Sequence, residues 1–315
     1  MNQTYSHHQT PPDEASRLMR RATYASTSVA LVLIAAKLFA WHTSDSVSLL
    51  ATLIDSSLDA LASIINLIAV RSALSPADKQ HRFGHGKAEA LAGLGQALFI
   101  AGSAGFLLFE AGRRFMNPRQ FEGIGTGVAV MVFSIAATLL LYIFQRHVIR
   151  KTNSTAIQAD ALHYRSDLLV NFSVIVALVL SAQGWPNVDP LFAVLIALYI
   201  LHSAWEIIRQ AYDHLMDREL PNEEREHIKT VALRHKDVKG MHDLRSRRSG
   251  TVTFIQLHLE LDDNLTLLQA HHISDEVEAS LCEVFPGAEV IIHIDPQSVV
   301  PSEPVPGFLT SAKDD

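Results

Sequence analysis

Six long apolar segments dominate this chain and limit what it can become. They run near Ala22–Trp41, Val47–Val70, Ala88–Phe109, Gly123–Phe144, Ile157–Ala182 and Pro190–Ile208. Each is close to the ~20 residues that a helix needs to cross ~30 Å of hydrocarbon. A segment in lipid must satisfy its own backbone polar groups, so runs of this length predict helices. The second and fifth runs are interrupted by polar residues.

Basic residues in the short connections give the orientation. Arg17, Arg20 and Arg21 precede the first run, Arg71, Lys79, Arg82 and Lys87 surround the second loop, and Arg146, Arg150 and Lys151 follow the fourth run. The first and fifth loops (42–46 and 183–189) hold no Lys or Arg, while Arg113, Arg114 and Arg119 in the third break the trend. The balance predicts that both termini are cytoplasmic.

From Pro221 the pattern changes. Asn222–His235 reads as an amphipathic helix with Asn222 as N-cap. Met241–Arg247 and Val252–Leu261 read as strands, and Ile255, Leu257, Leu259 and Leu261 alternate with polar neighbours. Leu265–Val284 predicts a second helix and Glu289–Ile294 a third strand. The order αββαβ suggests a small open sheet with helices on one face. The expected organisation is a disordered tail over 1–20, a six-helix membrane domain over 21–213, a cytoplasmic α+β domain over 214–299 and a disordered tail over 300–315.

Composition excludes some chemistry. A net charge of -7 argues against a nucleic-acid partner. The single cysteine, Cys282, permits neither an intrachain disulfide nor a zinc finger. Sixteen histidines leave metal binding open, depending on where they fall.

Two pairs carry the sharpest signal. Asp55 and Asp59 in the second run are four apart, hence on one helix face. A carboxylate at mid-membrane costs at least ~2.5–3.5 kcal/mol, and two side by side repel unless they share a proton or a cation. His163 and Asp167 in the fifth run repeat the spacing. Together the pairs offer three carboxylates and one imidazole, a donor set for tetrahedral Zn²⁺ and also for Cd²⁺, Fe²⁺ or Mn²⁺. The plainer reading of His163 and Asp167 is that they mark the watery start of their helix.

The second loop places Asp78, His81 and His85 beside Gly84 and Gly86, which let it fold back. These are a possible second metal cluster or ordinary surface histidines. Beyond Pro221, His242, His258, His271, His272 and His293 gather with Asp295, and His293 and Asp295 share a strand face. They can bind zinc without cysteine or stand as scattered solvent-facing groups.

The segments SVSLLATLIDSSLDA, FGHGKAE, ADALHYRSDLLVN, DLRSRRSG, FIQLHLE and VIIHIDP make the chain resemble the cation diffusion facilitator family from about Arg20 to Pro301. The resemblance implies a transporter, not an enzyme, in a bacterial inner membrane, with a ferredoxin-like αββαβ cytoplasmic domain. It implies a transport site at Asp55, Asp59, His163 and Asp167. A histidine in this set is similar to zinc and cadmium movers, whereas aspartate there marks manganese or iron movers. It further implies a loop site at Asp78, His81 and His85, and a binuclear zinc site at His242, His258, His271, His293 and Asp295. A homodimer is implied, with Lys87 and Asp217 at the positions of a salt bridge. Proton exchange would then drive export of zinc, cadmium or ferrous iron, with membrane lipid around the helices. Two other classes compete. A membrane-bound metal sensor needs no paired intramembrane ligands, and an intramembrane metalloprotease wants a His-Glu-x-x-His helix, which the sequence lacks.

Overall fold

The computed structural model describes residues 11–44, 47–116, 127–182 and 188–300. Within and beside them, the side chains of residues 43–52, 54, 55, 58, 110, 114–131, 173–175 and 177–190 lie outside the description. The chain divides between Met216 and Asp217 into two compact units.

The first unit is built from six helices: α1 (Pro12–Ser44), α2 (Val47–Ala73), α3 (Lys87–Met116), α4 (Gly127–Thr152), α5 (Thr155–Ala182) and α6 (Val188–Leu215). Four stretches, Pro12–His42, Lys87–Arg113, Val132–Thr152 and Leu191–Leu215, are long and apolar enough to cross a membrane by length and composition. Helices α2 and α5, which carry the polar pairs, complete the bundle. Its surface is inverted relative to a water-soluble one. Phe39, Phe106 and Leu140 are 69–72% exposed, whereas Ser26, Ser63, Asp160 and Gln145 are 0–1% exposed. An apolar exterior around a polar interior suits lipid, which rewards no apolar burial between helices and favours interhelical hydrogen bonds.

One boundary differs from expectation. Residues 1–20 read as a disordered tail, yet α1 already begins at Pro12. Proline at the first helical position gives up no intrahelical bond. Asp13 and Glu14 face the positive end of the helix dipole, and Ala15 and Met19 are buried. Met19 joins Ala22, Val70, Val148, Ala156 and Ile157 in one cluster from α1, α2, α4 and α5. The expected tail over 300–315 falls, apart from Val300, outside the described residues.

The second unit has α7 (Asn222–Ala232), β1 (Gly240–Ser249), β2 (Val252–Leu261), α8 (Leu267–Val284) and β3 (Glu289–Pro296) in the expected αββαβ order. Pro221, not Asn222, is the N-cap of α7, without a side-chain cap bond. Its N–H groups instead face Glu223 and Glu224 in the first turn. Helix α8 opens on a capping box formed by Thr266 and Gln269. The sheet order is β1-β2-β3, with β1 antiparallel and β3 parallel to β2. Ile255, Leu257 and Leu259 point from β2 into a core with Ile228, Val231, Val277 and Leu281 of the two helices. The alternate β2 residues, His258 among them, occupy the other face.

Candidate metal sites

The first cluster lies inside the helical unit. His163 Nε2 is 2.9 Å from Asp59 Oδ1 and 3.7 Å from Asp167 Oδ2. Helix geometry explains the second contact, because residues four apart stack on one face. The first joins α2 to α5, so the two i,i+4 pairs meet across helices. One donor atom from each of Asp59, His163 and Asp167 lies within 4.8 Å of the others, close enough to share one ion. His163 and Asp59 are largely buried and Asp167 is partly open. Asp55 is in α2, but its side chain lies outside the described residues.

The second cluster is in the loop between α2 and α3. Asp78 Oδ1 accepts the backbone N–H groups of Gln80 at 2.8 Å and His81 at 2.6 Å. Such a local Asx turn folds the chain back on itself. Gly84, at φ +76°, then turns the backbone through a conformation that side chains disfavour. Asp78 thereby comes within 3.3 Å of His81 Nδ1 and 3.4 Å of His85 Nε2. The His81 backbone N–H, donating to the Asp78 carboxylate, holds it below the ordinary aspartate range.

The third cluster is on the helix-free face of the sheet. His242, His258 and His293 are register partners across β1, β2 and β3, with ring centroids 5.0 and 4.6 Å apart. Asp295, two residues after His293, is buried among them. Its Oδ2 lies 2.7 Å from His258 Nδ1 and 3.4 Å from His242 Nε2, and its Oδ1 lies 3.0 Å from His293 Nε2. Three imidazoles and one carboxylate suit a zinc-type ion. His271 does not reach this row within one chain. It is exposed on α8, 3.4 Å from Asp275. Lys87 donates to the Leu215 carbonyl at 3.3 Å, and Asp217 pairs with Arg247 at 3.3 Å.

Several polar residues around these clusters escaped the reading of the sequence. Glu260 Oε1 lies 3.0 Å from His242 Nδ1 and accepts from it when that nitrogen carries the proton. A β-bulge follows His242, and Asp243 there takes φ +42°, which brings its carboxylate to 3.9 Å from His258 Nε2. Period-two alternation would have pointed Asp243 away, so no pattern could have found it. Glu260, two after His258, was accessible to that same alternation. Asp160 stands within the quoted segment ADALHYRSD, and an acid inside an apolar run was the available signal.

Family models match the helical and the α/β unit separately. A family model described as the cation efflux transmembrane domain matches residues 23–216. A second, the cation efflux protein cytoplasmic domain, matches residues 220–297. The chain is 48% identical to the cation-efflux pump FieF of Klebsiella pneumoniae over 302 residues, 96% of this chain and 97% of that one. It is 47% identical over 303 residues to the FieF of Salmonella choleraesuis, covering 96% and 98%. Among solved structures, CzrB in a zinc form is similar at 34% identity, covering 26% of this chain and 94% of that one, with a TM-score of 0.25.

Proposed function

The chain belongs to the cation efflux family, and from that premise we propose that it is a proton-coupled antiporter exporting divalent metal from the cytoplasm. Zinc is the substrate the donor set favours, with cadmium or ferrous iron as others. The observation that carries the reading is the meeting of Asp59 with His163 and Asp167 between α2 and α5. Nothing in a purely structural bundle calls for two carboxylates and an imidazole around one point inside an apolar shell. Asp55, four residues from Asp59, is proposed as the fourth ligand.

The ligands must be deprotonated to hold metal, so binding releases protons. Metal arriving from the cytoplasm displaces them. When the site opens outward, protons recharge His163 and a carboxylate, and the metal leaves. An inward proton gradient then drives metal outward. Tilting of α2 and α5 relative to the other helices would alternate access, as in other carriers. The charge pattern of the loops supports cytoplasmic termini in an inner membrane.

The loop cluster is proposed as a lower-affinity station for metal, given its exposure. The sheet cluster is proposed to hold structural or regulatory zinc in a homodimer. Its buried Asp295 supports a fit, because an acceptor shared by three rings is the arrangement that a bound cation stabilises. His271, exposed and outside the row in one chain, would join it only from a second copy. Lys87 and Asp217 remain proposed contributors to a dimer salt bridge.

Reconstituted vesicles loaded with a zinc dye and a pH dye test the proposal. With zinc outside, the wild type should admit zinc and release protons, and Asp59→Ala should do neither. If the wild type binds zinc yet moves none, the carrier reading fails and a membrane-bound metal sensor takes its place.

A further inference from the structure

A second polar constellation sits beside the transport cluster and is used by no step above. Asp160 is fully buried, three residues before His163 on α5. Its Oδ1 accepts Gln96 Nε2 of α3 at 3.2 Å, and its Oδ2 accepts Gln145 Nε2 of α4 at 2.6 Å. Ser26 Oγ of α1 lies 3.2 Å from Ser63 Oγ of α2 and 3.1 Å from the Tyr164 hydroxyl of α5, and those last two are 3.0 Å apart. Two hydrogen-bonded groups that share α5, one at Asp160 and one at Tyr164, therefore tie five helices together.

Its position relative to the ligands is specific. Tyr164 is the neighbour of His163, with rings in edge contact at 5.4 Å. Ser63 lies four residues from Asp59, one turn along the same face of α2. The hydroxyl triangle thus holds α2 against α5 next to the point where Asp59 meets His163. Asp160 anchors the same turn of α5 to α3 and α4. Donor chemistry explains why an acid stands there. Two donors converge on it, one on each oxygen, and a carboxylate accepts from both.

Resting on the transport reading above, we propose that Asp160 is a positioning residue for metal transport: held by Gln96 and Gln145, it fixes α5 so that His163 meets Asp59. Ligand atoms must be held within about 0.5 Å of productive geometry, which their own helix pair alone does not secure. Outer-shell partners of metal ligands typically change affinity or activity by about 10–100-fold when removed.

The test uses the full-length protein in vesicles, comparing Asp160→Ala and Asp160→Asn. Asp160→Ala should raise the zinc KM by about 10-fold or more with a smaller change in maximal rate. It should also weaken the tetrahedral Co²⁺ absorption band, recorded in a background carrying His81→Ala and Asp295→Ala so that the intramembrane cluster reports. Asp160→Asn should recover most of both, because Gln145 Oε1 has no partner and the carboxamide can turn over to accept from the new amide. If Asp160→Ala fails to assemble, Tyr164→Phe should shift KM and the band in the same direction through the other arm. An unchanged KM and band in the Ala variant would overturn the inference, as would an Asn variant as impaired as Ala, since charge rather than position would then be acting. A wild type that moves no zinc sinks the transport reading itself, and is recognised because the unsubstituted protein fails.

Discussion

Asp295 Oδ2 lies 2.7 Å from His258 Nδ1, across two strands and 37 residues of sequence. The contact exists because β2 and β3 run parallel with His258 opposite His293, so that a residue two further along β3 returns to the same face. Asp295 is only 3% exposed, and a buried carboxylate is costly without partners. Zinc bound there should therefore stabilise the protein measurably, by about 2.7 kcal/mol when free zinc is 100 times the dissociation constant. Asp295→Ala in the full-length chain should abolish most of the zinc-induced rise in thermal midpoint and lower the zinc bound at equilibrium dialysis. An undiminished rise would place that zinc elsewhere.

Much of this arrangement was legible beforehand, for reasons particular to each residue. The i,i+4 spacing of His163 and Asp167 put them on one face whatever the tertiary structure. Period two did the same for His293 and Asp295. The contact between Asp59 and His163 needed two helices to pack, and only the shared spacing hinted at it. The bulge at Asp243 and the capping of α7 by Pro221 depend on local backbone choices that no periodicity encodes. The partners of Asp160 were hidden for another reason: its donors come from α3 and α4, 64 and 15 residues away.

Helix α3 approaches the start of α5 closely at Gly93. A Cβ there would stand 3.0 Å from the carbonyl carbon and oxygen of Thr155. Those are backbone atoms and cannot swing aside. Gly93→Ala should cost about 1–3 kcal/mol, the usual range for overpacking, seen as a lower midpoint in detergent thermal-shift chromatography. Gly95→Ala, where nothing lies within 4 Å, should lose no stability. Equal midpoints for the two would disprove close packing at Gly93.

The loop cluster should respond to acid later than an ordinary aspartate does. Chiefly the His81 backbone N–H depresses the Asp78 carboxyl, aided by the Gln80 N–H and the His81 ring. A depressed carboxylate contributes stability that is present above its unfolded pKa and lost as pH falls through the folded one. The Asx turn should thus stay formed through mildly acidic conditions and open only below the ~3.9 typical of aspartate. Carbon NMR of the labelled Asp78 carboxyl in metal-free protein would give the midpoint directly. A midpoint at or above the ordinary value would contradict the turn geometry.

Metal preference should reside in the one nitrogen of the transport cluster. Imidazole favours zinc over manganese, whereas carboxylate oxygens suit manganese well, so preference follows the donor set and its geometry. His163→Asp keeps a ligand at the same helical position but makes the set all-oxygen. The expected result is a zinc-to-manganese transport ratio at least about 10-fold lower than wild type, the size of one strong ligand's discrimination at 1.4 kcal/mol. Asp59→Ala serves as the contrast. It removes the carboxylate 2.9 Å from His163 Nε2 and should abolish both fluxes alike instead of exchanging one metal for the other. Parallel zinc and manganese uptake into vesicles measures both variants. A His163→Asp protein that still prefers zinc as strongly as wild type would mean that selection occurs before the metal reaches α2 and α5, and the loop cluster would be where to look next.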